Sequence, residues 1–209
     1  MGSSGSNAVK TLIRHPLRLT GLATVILAWV VLYQSIQFNP WFVFTEHAFS
    51  DLGSALAENP AFFNTGMKAL GGLFILYALV LITDAINKVE GAGGAFAVIA
   101  GIFLALIGFY PSGITLHAFV SLWFFLQTDL AILTWGLGIL LNGWSGFGVV
   151  VTGIGVVGPL AAVVVPWPSI AVLEAYCIAL MSLWVILMLQ LHYTRLKMPP
   201  PRYVSYDER

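Results

Sequence analysis

Six long apolar runs dominate the chain, and one extended polar stretch interrupts them. A helix crossing the hydrocarbon slab of about 30 Å needs roughly 20 mostly apolar residues. Runs that meet this requirement lie at about 17–37, 62–86, 93–110, 115–141, 147–165 and 169–193. The breaks between them carry turn chemistry. Residues 87–94 are charged and glycine-rich, Asn142-Gly143-Trp144 is short, and Tyr110-Pro111-Ser112-Gly113 and Pro166-Trp167-Pro168-Ser169 combine helix-ending proline with turn residues. Such short connections force neighbouring spans to run antiparallel. Backbone groups in lipid must be bonded within the segment, so the pattern predicts an all-α, polytopic membrane bundle of six helices.

Composition supports this reading. The chain is 59% hydrophobic and 9% charged, against about 25% charged for a soluble domain. Nine basic and nine acidic residues cancel, which argues against nucleic acid as a partner, because an anionic polymer needs a basic surface. The lone Cys177 excludes an intrachain disulfide. Lysine and arginine set the orientation. Lys10, Arg14, Arg18, Lys88, Arg195, Lys197, Arg202 and Arg209 fall on one side, and the loops on the other side have neither residue. Both termini are therefore expected in the cytoplasm of a cell-membrane protein, with the polar loop 38–61 outside. Residues 1–16 then comprise a leader resembling an expression scar (MGSSGS) and a cytoplasmic segment. Residues 17–193 form the membrane domain, and 194–209 a solvated tail with Pro199-Pro200-Pro201. Asp84, Lys88 and Glu90 read as an ordinary cytoplasmic edge, and His15 and His192 as interfacial.

The costly polar residues converge on the outer leaflet. Lys68 lies about 9 Å below the outer end of the second span, at about 1.5 Å per residue, and Glu174 lies at matching depth in the sixth. These two are expected either to pair between helices or to floor a substrate pocket, and Asn64, four residues before Lys68, shares its helix face. Ser50 belongs to the same segment. His47 and Asp51 are four apart, so a short helix capped by Thr45 places both on one face, and His117 can approach from the fourth span. Two imidazoles and a carboxylate leave open positions on a metal such as zinc, whose bound water attacks esters or amides. Alternatively, Asp51 orients His47 as a general base, or these residues simply bond a folded-back loop. Asp129 sits in mid-span, about 18 Å along the helix from His117. It is neutral, bonded to a neighbouring helix, or part of a proton path. Glycines cluster within the spans, where they permit close packing inside one chain or in a homo-oligomer. Gly153-Ile-Gly155-Val-Val-Gly158 matches a dinucleotide fingerprint by letter but lacks the strand and soluble helix the motif needs.

The run His47-Ala48-Phe49-Ser50-Asp51-Leu52-Gly53, then Asn59-Pro60 and Phe63-Asn64-Thr65-Gly66, resembles the membrane proteins catalogued as domain of unknown function 998. Gly108-Phe109-Tyr110-Pro111 followed by His117 does so too. The resemblance covers roughly 17–192. It implies a six-span bundle with a Ser-Asp-Leu-Gly segment after the first span and carries no activity with it. The same segment is more distantly similar to the FRAG/DRAM/SFK membrane family, associated with lipid handling. Ceramidase and progestin-receptor-like membrane hydrolases hold zinc with three histidines, a Ser and an Asp. Here only His47 and His117 lie on the outer side, and no H-x-x-x-H pair occurs in a late span. Three functional expectations follow. The first is an outer-leaflet pocket that binds a lipid or hydrophobic molecule and hydrolyses it with metal or His/Asp assistance. The second is a non-catalytic scaffold or assembly factor. The third is a proton-coupled transporter using Asp129.

Overall fold

The computed structural model describes residues 3–197, with side chains from Leu17 onward. The side chains of Lys10, Arg14 and His15 lie outside the described residues, as do Met1, Gly2 and the tail with Pro199, Arg202 and Arg209. Six helices account for the architecture: α1 (Ser3–Phe38), α2 (Pro60–Asp84), α3 (Lys88–Phe109), α4 (His117–Leu141), α5 (Ser145–Val164) and α6 (Ile170–Lys197). All six are long and apolar enough to cross a membrane. Their ends fall within a few residues of the apolar runs except at α1, which begins well before Leu17. Hydropathy marks only the part of a helix that needs hydrocarbon, whereas helical bonds are local and continue into water.

Consecutive helices pack antiparallel in order, and α6 closes the ring against α5 and α1 through much thinner contacts. Close approach at the tight seams depends on glycine. A Cβ on Gly71 of α2 would lie 2.5 Å from the Ala105 backbone nitrogen of α3, and one on Gly136 of α4 would lie 2.5 Å from that of Thr152 on α5. These glycines are used inside one chain. Gly72, Gly146 and Gly153 instead face open space. The Gly153–Gly158 run lies in the body of α5 before Pro159, with no strand among the described residues. A nucleotide fingerprint is excluded there on geometry.

Buried apolar side chains from all six helices and from the segment between α1 and α2 form the core, with Leu52, Leu70, Trp135 and Trp184 almost wholly enclosed. The outward faces are equally apolar: Val157, Leu160 and Val163 are 62%, 59% and 85% exposed. A continuous surface of this kind is an aggregation hazard in water and an ordinary exterior in lipid.

Candidate functional site

At one end of the bundle the segment between α1 and α2 folds back as a lid. Its only regular element is a 3-10 turn, Phe49–Gly53. The Asp51 carboxylate organises that turn by accepting the Ala48 N–H at 2.9 Å, and its other oxygen accepts the Ser112 hydroxyl at 3.2 Å from the α3–α4 loop. Asn39 accepts the Glu58 N–H at 2.6 Å and donates to the Glu58 carbonyl, closing the base of the lid. Asn59 adopts the left-handed conformation that asparagine tolerates, and Pro60 then opens α2 at the first helical position. The lid is tied at three points to α6 and to Ser169, the residue just before it. Ser169 donates to the Phe44 carbonyl at 2.6 Å, Ala171 N–H to the His47 carbonyl at 2.9 Å, and Phe49 N–H to Glu174 Oε2 at 2.7 Å.

Several sequence expectations are revised by this geometry. Lys68 and Glu174 form no ion pair, because matching depth does not fix direction around a helix. The Lys68 ammonium turns toward α3 and lies 4.3 Å from the centre of the Phe109 ring, a cation–π contact. Asn64 donates to the Gly53 carbonyl at 2.9 Å, so it secures the lid. His47 and Asp51 do not share a helical face. His47 precedes the 3-10 turn, and its Nδ1 accepts the Val43 N–H at 2.9 Å while its ring packs on Trp41. His117 Nδ1 meets the Tyr110 carbonyl at 2.8 Å. Each member of the expected triad His47, Asp51 and His117 is thus bonded to groups other than the remaining two. Among the described residues no three His, Cys, Asp or Glu side chains are grouped to hold a metal ion. The zinc arrangement has no assembled donor set.

Two cavities lie beneath the lid. The first, about 110 Å³, is central and almost wholly apolar, with Ser50 of the lid and Glu174 at its top and Leu32, Phe74 and Leu104 among its walls. The second, about 490 Å³, lies between α4, α5 and α6. Asp129 and Glu174 both face it at different depths, together with Cys177 and Pro159. Its rim includes the exposed Leu122, Val163 and Ile170, so it opens on the lipid-facing surface. Ser121, Phe125, Glu174 and Met181 line both cavities and mark where they adjoin. The Asp129 carboxylate makes no hydrogen bond among the described residues, and no neighbouring helix supplies the partner considered for it. Of the candidate residues, Ser50, Glu174 and Asp129 reach cavity surface. His47, Asp51, Asn64, Lys68 and His117 line neither cavity.

The opposite end holds the ion pairs that sequence reasoning overlooked. Arg18 of α1 grips Asp84 of α2 with two bonds of 2.6 and 2.7 Å, and His192 of α6 lies 3.3 Å from the same carboxylate. Glu90 of α3 is fully buried and receives two bonds from Arg195 of α6, at 2.6 and 3.0 Å, with Asn142 and the Ile86 N–H completing its shell. Asp84, Glu90 and His192 therefore do more than border the membrane domain: they tie helices together at this end of the bundle. The readable signal was Asn87 three residues before Glu90, a helix cap in which the Asn87 side chain accepts the Glu90 N–H.

A ring of six membrane-length helices, lidded at one end and opened by a cleft between α4, α5 and α6, defines a multi-pass membrane protein. The family model described as "Protein of unknown function (DUF998)" matches residues 22–190. The protein belongs to that family. No curated protein and no solved structure matches the chain at a significant level.

Proposed function

We propose that the protein holds a hydrocarbon chain of a membrane lipid, or a comparable hydrophobic molecule, in the cleft between α4, α5 and α6. The observation that carries this reading is the cleft itself. Its volume of about 490 Å³ falls within the ~300–1,000 Å³ usual for ligand pockets, and its walls are apolar. Its mouth lies on the face turned to lipid, so a chain enters laterally without crossing water. Asp129 and Glu174 supply polar contacts inside an otherwise apolar space, the arrangement that fixes a ligand's orientation. The distribution of lysine and arginine supports a cell-membrane orientation with both termini cytoplasmic and the lid outside. The cleft then belongs mainly to the outer leaflet.

Occluding the cleft tests the proposal. Ala162 lines it from α5, and Ala162→Trp fills part of its volume. Native mass spectrometry of the detergent-purified protein is expected to show retained lipid on the parent chain and at least about tenfold less on the variant, a loss of ~1.4 kcal/mol or more. Equal lipid retention by a folded Ala162→Trp protein would count against this site.

A further inference from the structure

Hydroxyl groups in membrane helices usually donate to the carbonyl one turn back. Thr24, Thr128 and Ser182 do so, with bonds of 2.7, 2.8 and 2.7 Å to Thr20, Phe124 and Ile178. Ser121 of α4 departs from this habit. Its hydroxyl oxygen lies 3.4 Å from Nε2 of His117, one turn earlier on the same helix face. The other imidazole nitrogen, Nδ1, lies 2.8 Å from the Tyr110 carbonyl oxygen. A carbonyl only accepts, so Nδ1 carries the hydrogen, and in the neutral ring Nε2 presents its lone pair to Ser121. A hydroxyl, an imidazole base and a third group that fixes the base's tautomer are the parts of an activated serine nucleophile.

Position adds a second, independent argument. Ser121 lines both cavities at their junction, and a chain lying in either would run past it. The 25 residues of α4 span about 37 Å against a hydrocarbon thickness of about 30 Å. Ser121, about 6 Å along the axis from His117, thus sits close to where hydrocarbon gives way to headgroups. An acyl ester carbonyl lies at that level, because the ester is where the chain begins.

The geometry points to Ser121 and His117 as a nucleophile–base pair that hydrolyses the acyl ester of an amphiphile bound in the cleft. The inference rests on the lipid-holding reading above and adds a reaction to it. The Ser121 oxygen bonds to the ester carbonyl carbon while its proton passes to His117 Nε2, and the carbonyl electron pair moves onto oxygen. Collapse of that intermediate breaks the carbon–oxygen bond to the alcohol, which departs with the proton from Nε2. Water then attacks the acyl-serine and gives a proton to Nε2. The Ser121 oxygen leaves, recovers that proton, and a free carboxylic acid is released. The Tyr110 carbonyl acts on position only, holding the ring in the acceptor tautomer.

Full-length protein in mild detergent, treated with a long-chain fluorophosphonate, tests this directly. The expected result is a covalent adduct mapped by peptide mass spectrometry to Ser121. It should be absent in Ser121→Ala and form at least about 100-fold more slowly in His117→Asn, the usual contribution of a general base. The same samples should hydrolyse a long-chain p-nitrophenyl ester in parallel with adduct formation. No adduct at Ser121 in folded parent protein would overturn the inference, as would an adduct rate indifferent to His117→Asn. Native mass spectrometry on the same preparation separates the two readings: lipid retained without an adduct refutes the hydrolysis alone. Because the adduct is sought on the parent chain, misfolding of a variant does not rescue the inference.

Discussion

Glu90→Ala is expected to destabilise the protein by about 3–5 kcal/mol, the cost of removing one partner of a buried ion pair. Glu90 is 0% exposed. Its carboxylate accepts both terminal nitrogens of Arg195, the Asn142 amide and the Ile86 N–H. Truncation leaves the guanidinium, whose side chain is only 13% exposed, without its carboxylate partner. The effect should concentrate on α6, whose contacts with α5 and α1 are thin and whose far end is fixed by Arg195. Unfolding in a mild detergent, with hydrogen exchange read along the chain, checks both parts. The predicted outcome is a large loss of stability with exchange rising first in α6. Lys88→Ala, two residues away and exposed, should change stability by no more than about 0.5 kcal/mol.

Asp84→Ala is the second large effect, expected at about 3 kcal/mol, toward the lower end for broken buried pairs. The Arg18–Asp84 contact has the paired geometry of a guanidinium on a carboxylate, with bonds of 2.6 and 2.7 Å. Its side chains keep 10% and 14% exposure, so solvent reaches this pair more readily than Glu90. His192 from α6 shares the carboxylate, which makes Asp84 a tie among α1, α2 and α6. A double-mutant cycle with Arg18→Ala measures the tie directly. The cycle should return a coupling of at least about 1 kcal/mol, the scale seen for residues in one network. Additive single effects would show that the pair contributes nothing beyond its separate side chains.

These two clasps and the three lid bonds explain how a loosely packed helix can border a cavity. α6 is held at both ends by polar contacts, and between them it leaves space on either side. The arrangement suits the lateral entry of a hydrocarbon chain proposed above.

The helices were legible because hydropathy responds to the same requirement that shapes them, about 30 Å of hydrocarbon to cross. The lid was legible as a segment because Glu46, His47, Asp51 and Glu58 have no place in lipid. Its internal wiring was not. Sequence gives depth along a helix, at about 1.5 Å per residue, but says nothing of which neighbour a side chain faces. Lys68 and Glu174 share a depth and face different helices for that reason. Asp84 and Glu90 looked unremarkable because their partners, Arg18 and Arg195, are remote in sequence: Arg18 reaches Asp84 when α1 packs on α2, and Arg195 reaches Glu90 only once α6 closes the ring. Ser121 was within reach. A serine four residues after His117 on one helix shares its face by the turn rule alone.

Occupancy of the cleft is the claim on which the rest depends, and a photoactivatable lipid reads it most directly. Protein reconstituted with a phospholipid carrying a diazirine midway along one acyl chain would be illuminated, digested and mapped. Adducts are expected at Phe125, Cys177, Leu180 and Met181, which line the cleft, and should diminish with Ala162→Trp. Adducts confined to outward residues such as Val149, Val157 and Ile186, with none inside the cleft, would contradict the account.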